Sequence, residues 1–247
     1  MLQSLVKSSI KLSKNYVNSI ETFQSNFEII IKPLESVYNG SIYLGGSLGK
    51  KTLIEEDNKI FLIMENHNNI NSHDFENVIN KKMKKIIPSS FLYEIQKNPY
   101  LIYRHKYVIQ FLSEYPKIAQ IIQILKIWNR NRQIKLEETV LELLAIEARF
   151  RTNLQDPFDK DILVSCFQTL HNTLEGISII PRNWQKYEDI TALVSNLGIK
   201  IVDPGDPSVN LANNISLEQD IQIRNESLRA ISLINDDRID ELLIEIR

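Results

Sequence analysis

Residues 44–62, LGGSLGKKTLIEEDNKIFL, decide how this chain is read. A short apolar strand, Ser41-Ile42-Tyr43-Leu44, runs into Gly45-Gly46-Ser47, and a second hydrophobic run, Ile60 to Met64, follows Thr52. Glycine lets backbone N–H groups approach an anion closely, so a Gly-Gly-Ser turn leaving a strand is a candidate phosphate cradle. The second run opens Asp57-Asn58-Lys59-Ile60, with Glu55 and Glu56 just before it. No register of that opening spaces two carboxylates so that they share one face of a strand.

Outward from this stretch the chain is ordinary. Its 247 residues suffice for one large or two small domains, and 43% hydrophobic with 24% charged residues is the balance of a globular protein. The net charge of −2 does not advertise nucleic-acid binding, so any such footprint is local. The single cysteine, Cys166, cannot staple the fold and reads as a small buried hydrophobe, which suits a cytoplasmic protein. The N-terminal MLQSLVKSSIKLSKNYV spaces its apolar residues helically between lysines and reads as neither signal peptide nor membrane span.

Periodicity predicts a helix over 2–37, strands over 41–44 and 59–65, and a basic helix over 74–86. It predicts a third strand over 100–112, centred on Tyr107-Val108-Ile109, then helices over 117–130 and 136–150. Asp156-Pro157 reads as an N-cap and first-turn proline for a helix over 157–174. A further helix over 184–196 precedes a short strand over 199–202. Ser216 with Gln219 reads as a capping box for the last helix. The expected fold class is α+β: a lobe with a small mixed sheet over 1–116, then a helical lobe over 117–247, the first helix running along both.

Four segments in this order resemble the 2′-5′-oligoadenylate synthetase and cGAS/DncV-like group of DNA polymerase β-type nucleotidyltransferases. They are Gly46-Ser47 with Lys51-Thr52; IIQILKIWNR, residues 121–130, with its Lys126-x-Trp128; TVLELLAIEA, residues 139–148; and IVDPGDPSVNLAN, residues 201–213. The resemblance implies a nucleotide triphosphate against Gly46, Ser47, Lys51, Thr52 and Lys126. It also implies two Mg²⁺ ions held by three carboxylates, two of them in an Asp-x-Asp opening the second strand. With Thr52 setting the register, Asn58 and Ile60 fill that pair; slipped by one, Asp57 and Lys59 do. The third position, on the strand expected over 107–112, falls on Gln110. The scaffold is present and the ligand set is degenerate.

Lys81, Lys82, Lys84 and Lys85, with Arg104, Lys106, Arg130 and Arg132, form a local cationic set. They read either as solvated helix faces or as a groove for phosphate backbone. His67 and His73 have no third ligand near them and read as surface residues. Trp128 and Trp184 read as core, and Asp203 and Asp206 as turn and cap residues. Three functions follow: an inactive homologue acting as a binding, scaffold or regulatory subunit; an active synthase of oligo- or cyclic nucleotides in antiviral signalling; or a nucleic-acid-binding protein. The first needs no cofactor or metal, and the second needs Mg²⁺. A protein partner or self-association is expected, through an apolar stripe on the N-terminal helix or one from Leu228 to Ile246, with nucleotide or RNA as a further ligand and no membrane.

Overall fold

The computed structural model describes residues 13–38, 40–54, 57, 59–66, 72–89, 91–96, 98–152, 159–172, 178–184 and 200–244. It divides into two compact units, and the division falls between His105 and Lys106, inside a helix; the sequence reading draws it after Pro116. Among the described residues, no helix is long and apolar enough to cross a membrane.

The first unit begins with α1 (Lys14–Ile30), whose N-cap Ser13 accepts a hydrogen bond from the Tyr16 N–H. The helix expected to continue to residue 37 stops at Ile31, because Pro33 has no N–H to extend it. A second short helix, α2 (Leu34–Tyr38), follows; residues 2–12 lie outside the described residues. Strand β1 (Gly40–Gly45) leads straight into the five-residue α3 (Gly46–Lys50) and pairs antiparallel with β2 (Lys59–Asn66). After α4 (Ser72–Ile86), β3 (Leu92–Gln96) pairs parallel with β2. The sheet is thus mixed, in the order β1-β2-β3.

The outer edge of β1 is closed by side chains. The Ile42 N–H donates to Glu35 Oε1 at 2.6 Å, Lys32 Nζ donates to the Ile42 carbonyl at 2.8 Å, and these two side chains pair at 2.7 Å. Such capping keeps an edge strand from recruiting another chain. One face of the sheet packs on α1 and α4 through Phe23, Phe27, Ile42, Ile60, Leu62, Ile79 and Met83.

The strand expected over 100–112 is instead part of helix α5 (Pro99–Glu114). Its start is capped: Asn98 Oδ1 accepts the Tyr100 N–H at 2.9 Å, with Pro99 in the first turn, where a missing N–H costs nothing. Burial recurs at Ile102, His105, Val108, Phe111 and Leu112, a helical period, although the β-branched and aromatic residues there favour a strand by propensity.

The second unit packs α6 (Ile118–Asn131), α7 (Glu138–Arg151), α8 (Asp159–Asn172) and α9 (Leu217–Asn235) around one core, closed by the short α10 (Ile239–Leu242). Trp128, fully buried, meets Phe167 edge-on at 5.0 Å between centroids. A two-stranded parallel sheet, β4 (Ser178–Ile179) with β5 (Lys200–Ile201), stands beside the helices. The Ser216 hydroxyl accepts the Gln219 N–H at 3.2 Å, but the Gln219 side chain reaches the Ile134 carbonyl rather than closing the box. The Asp156-Pro157 start and residues 185–196 of the helix expected over 184–196 fall outside the described residues, while Trp184 lies in a turn.

Candidate functional site

Strand β2 alternates, and the alternation decides which residues face the Gly-rich turn. Ile60, Leu62 and Met64 are in the core, 1%, 0% and 7% exposed. Lys59, Phe61 and Ile63 therefore point to the opposite face. The turn lies over that face. A Cβ on Gly45 would come within 2.7 Å of Ile63 Cδ1, and one on Gly46 within 2.5 Å of Phe61 Cδ2. Gly46 also has φ of 60°, a left-handed conformation that disfavours any side chain, so glycine is required there twice over. On β3, Tyr93 and Ile95 pack into the core, which leaves Leu92 and Glu94 on the same face as Lys59. Tyr43 of β1 stacks on His105 of α5 at 5.9 Å.

The cluster on this face is Lys59, Phe61 and Glu94. Lys59 Nζ forms an ion pair with Glu94 Oε2 and lies 4.9 Å from the centroid of the Phe61 ring. Both charged side chains are close to half exposed, so the pair is worth only about 0–1 kcal/mol as a surface bridge. Its interest is its position. The Asp-x-Asp implied by the resemblance needs two carboxylates on one face of β2, and that face carries an ammonium and an aromatic ring. Mg²⁺ takes hard oxygen ligands and tolerates no cation among them. Among the described residues this face carries one carboxylate, already paired, and that does not fit two metal ions. Among the described residues no group of three or more His, Cys, Asp or Glu side chains is placed to hold a metal.

Both registers drawn from the sequence shift accordingly. Ile60 faces the core and cannot face a ligand. Asp57 precedes β2, where its Oδ2 accepts the Ile54 N–H at 3.0 Å and its carbonyl accepts the Tyr16 hydroxyl at 2.6 Å. Asn58, Glu55 and Glu56 lie outside the described residues. Gln110 is an exposed residue of helix α5, not a strand residue. The carboxylate on the adjacent strand is Glu94, which the sequence reading missed. Its signal was the alternation of Phe91-Leu92-Tyr93-Glu94-Ile95 between Pro88 and Pro99.

Of the phosphate candidates, Ser47 and Thr52 are buried, and the Thr52 N–H donates to the Ser47 carbonyl at 2.9 Å. Lys51 is exposed, at φ of 58°. Lys126 belongs to the second unit, where it is 7% exposed and stands 3.6 Å from Glu138 Oε1.

The segment 201–213 is a tightly bonded loop. Asp203 Oδ1 accepts the Gly205 N–H, Asp206 Oδ1 accepts both the Ser208 N–H and its hydroxyl, and Asn210 Oδ1 accepts the Ile201 and Ala212 N–H groups. The two Ser208 bonds hold the Asp206 carboxyl below its usual range. Trp184 Nε1 donates to the Asp203 carbonyl at 2.9 Å.

The cationic set separates. Lys81, Lys84 and Lys85 are exposed on α4 and Lys82 is half-buried; Lys106 is exposed and Arg104 half-buried. Arg130 is exposed, its Nε donating to Asn131 Oδ1 at 3.2 Å. Arg132 is 4% exposed and donates to the Glu241 carbonyl at 3.0 Å, which makes it an internal clamp. The apolar stripe from Leu228 is largely consumed. Ile231, Leu233, Ile234, Ile239, Leu242 and Leu243 pack in the core, Leu228 is exposed, and Ile246 lies outside the described residues.

No family model matches the sequence, and no characterised protein matches it by sequence alone. Solved structures do match it. The CdnC protein of E. coli MS115-1, in a complex with HORMA-deltaN, superposes with a TM-score of 0.68 at 14% identity, covering 98% of this chain and 93% of that one. The Cid1 poly(U) polymerase bound to MgATP gives 0.73 at 13% identity, covering 99% and 98%. A cytoplasmic RNA terminal U-transferase gives 0.73 at 13% identity, covering 99% of each chain. At such identities what is shared is architecture: this chain has the fold of the DNA polymerase β-type nucleotidyltransferases.

Proposed function

We propose that this protein keeps the nucleotidyltransferase fold without its metal-dependent transfer and acts by binding, as a scaffold or regulatory subunit. The observation that carries this reading is the side-chain order of β2, which turns Lys59 and Phe61 toward the glycine turn. Transfer by two metals relies on their charge to align the attacking hydroxyl and to stabilise both oxygens of the displacement, worth several kcal/mol. An active synthase of oligo- or cyclic nucleotides needs carboxylates at 59 and 61 beside Glu94. The structural neighbours support a binding role by class: CdnC was captured with a protein partner and Cid1 with a nucleotide.

The test is an assay with each of the four labelled nucleoside triphosphates in Mg²⁺ or Mn²⁺, with and without RNA. The expected outcome is no product above background. Turnover that disappears in Glu94→Gln would overturn the reading.

A further inference from the structure

One end of the second unit carries two halves of opposite charge. Helices α7 and α8 are joined by a short link, and Cys166 Sγ stands 4.0 Å from the Leu144 carbonyl midway along both. They therefore run antiparallel, with the last turn of α7 beside the first turn of α8. Lys160 Nζ pairs with Asp237 Oδ1 at 2.8 Å, which brings the end of α9 to the same place.

The basic half is built on aromatic rings. Tyr115 and Phe150 meet edge to face, their centroids 6.4 Å apart. The Arg149 guanidinium lies 5.0 Å from the centre of Tyr115, and that of Arg182 lies 3.2 Å from the centre of Phe150. The Arg182 N–H also donates to the Tyr107 hydroxyl at 3.2 Å, so this exposed cation is held from both ends. Among the described residues no acid pairs with Arg182, whereas Arg151 is balanced by Glu147 at 2.9 Å. A guanidinium stacked on a ring still offers its in-plane N–H groups to a carboxylate.

The acidic half is Asp159 and Asp161 in the first turn of α8, with Asp236 and Asp237 at the end of α9. A helix N-terminus favours acids, which accounts for the first two. Asp236 and Asp237 stand at a C-terminus, where the helix dipole disfavours them, and the last turn of α9 has no basic residue. Lys160 balances Asp237, and Arg238 is engaged with Glu241 at 2.6 Å. Asp161 and Asp236 remain exposed.

We propose that this end is a contact between two copies of the chain, related by a two-fold axis, with the Arg182 half of each against the Asp161 and Asp236 half of the other. This rests on the reading of the chain as a subunit that acts by binding, and it names the partner. A two-fold contact is reciprocal, so a face with one positive and one negative half is complementary to itself. An RNA strand would meet repulsion from the acidic half, which favours a second copy as occupant. The ends of a few helices make a small contact, so the dimer is weak and sensitive to salt.

The experiment is sedimentation velocity of the full chain from about 2 to about 200 µM, in about 50 mM and about 500 mM NaCl. Wild type should dimerise at low salt and dissociate at high salt. Arg182→Glu should weaken the dimer at least about tenfold, and Asp161→Lys/Asp236→Lys should do the same. An equimolar mixture of these two variants should restore dimer at low salt, because each reversed half then faces an opposite charge. That rescue separates a lost contact from a lost fold.

A wild type that stays monomeric throughout would overturn the inference; if it then binds a 20-nucleotide RNA through Arg182, the face belongs to nucleic acid. A dimer untouched by both reversals, or a mixture of folded variants that stays monomeric, would also overturn it. None of these results bears on transfer. Product in the nucleotide assay would sink the functional reading and leave the dimer standing.

Discussion

Asp220 is only 4% exposed, and among the described residues neither of its carboxylate oxygens has a hydrogen-bond partner. The Arg224 guanidinium stands 3.9 Å away, too far for a hydrogen bond. Burial pushes the Asp220 carboxyl above its usual range, and Arg224 offsets part of that. A carboxyl raised in the folded state binds its proton more tightly folded than unfolded. Its contribution to stability therefore improves as pH falls through the carboxylate range and worsens as pH rises through it. Asp220→Asn should be more stable than wild type at pH 7, by about 1 kcal/mol. The difference should close on acidification through the carboxylate range, read as the gap between two thermal melts across pH. A less stable variant at pH 7 would show that attraction to Arg224 outweighs the burial. Cys166 is the opposite kind of buried group: fully enclosed, its thiol pushed far up by desolvation, and inert as a nucleophile.

Between elements, the link from α6 to α7 is held by polar side chains. Asn131 Nδ2 donates to the Leu243 carbonyl at 2.6 Å and Arg132 donates to the Glu241 carbonyl at 3.0 Å, tying the end of α6 to α10. Gln222 and Gln219 of α9 donate to the carbonyls of Arg132 and Ile134. Burial and the nearby Arg229 lower the affinity of the Arg132 guanidinium for its proton, while Glu226, 3.5 Å away, supports its charge. Arg132→Ala should cost about 2–4 kcal/mol, because it takes the donor from the Glu241 carbonyl and removes one of the two guanidinium groups beside Glu226. Chemical denaturation reads that loss, and any nucleic-acid affinity should be unchanged in the folded variant. An unchanged denaturation midpoint would show that the clamp adds nothing.

The element most misread from sequence is α5. Tyr107-Val108-Ile109 have strand propensity, yet Asn98-Pro99 is a legible helix start, and burial every three or four residues is a helical pattern. Propensity is a weak term, and packing of His105 on Tyr43 and of Val108 in the helical core overrides it.

For the molecule as a whole, a net charge of −2 leaves nucleic-acid affinity to local clusters. Lys81, Lys84 and Lys85 on α4 are the exposed group best suited to phosphates. Any RNA binding should fall by about tenfold or more on reversing those three charges, equally across sequences, with a smaller salt slope. Filter binding across a salt series measures this, and affinity indifferent to the reversal would remove α4 as the contact surface.

The chain alone determined the fold class, the turn at Gly45-Gly46-Ser47, the two strands beside it and most helices of the second unit. Those features rest on local causes: periodic burial, glycine conformations and cap residues. Tertiary structure decided the site. Which of Asp57, Asn58, Lys59, Ile60 and Phe61 face the turn depends on which face of β2 the core covers. A shift of one residue exchanges every side chain between faces. Glu94 joins Lys59 only because β3 pairs with β2 in parallel, after α4 carries the chain back across the sheet. Pairing between distant strands is set by packing of the whole sheet, and no local window of sequence contains it.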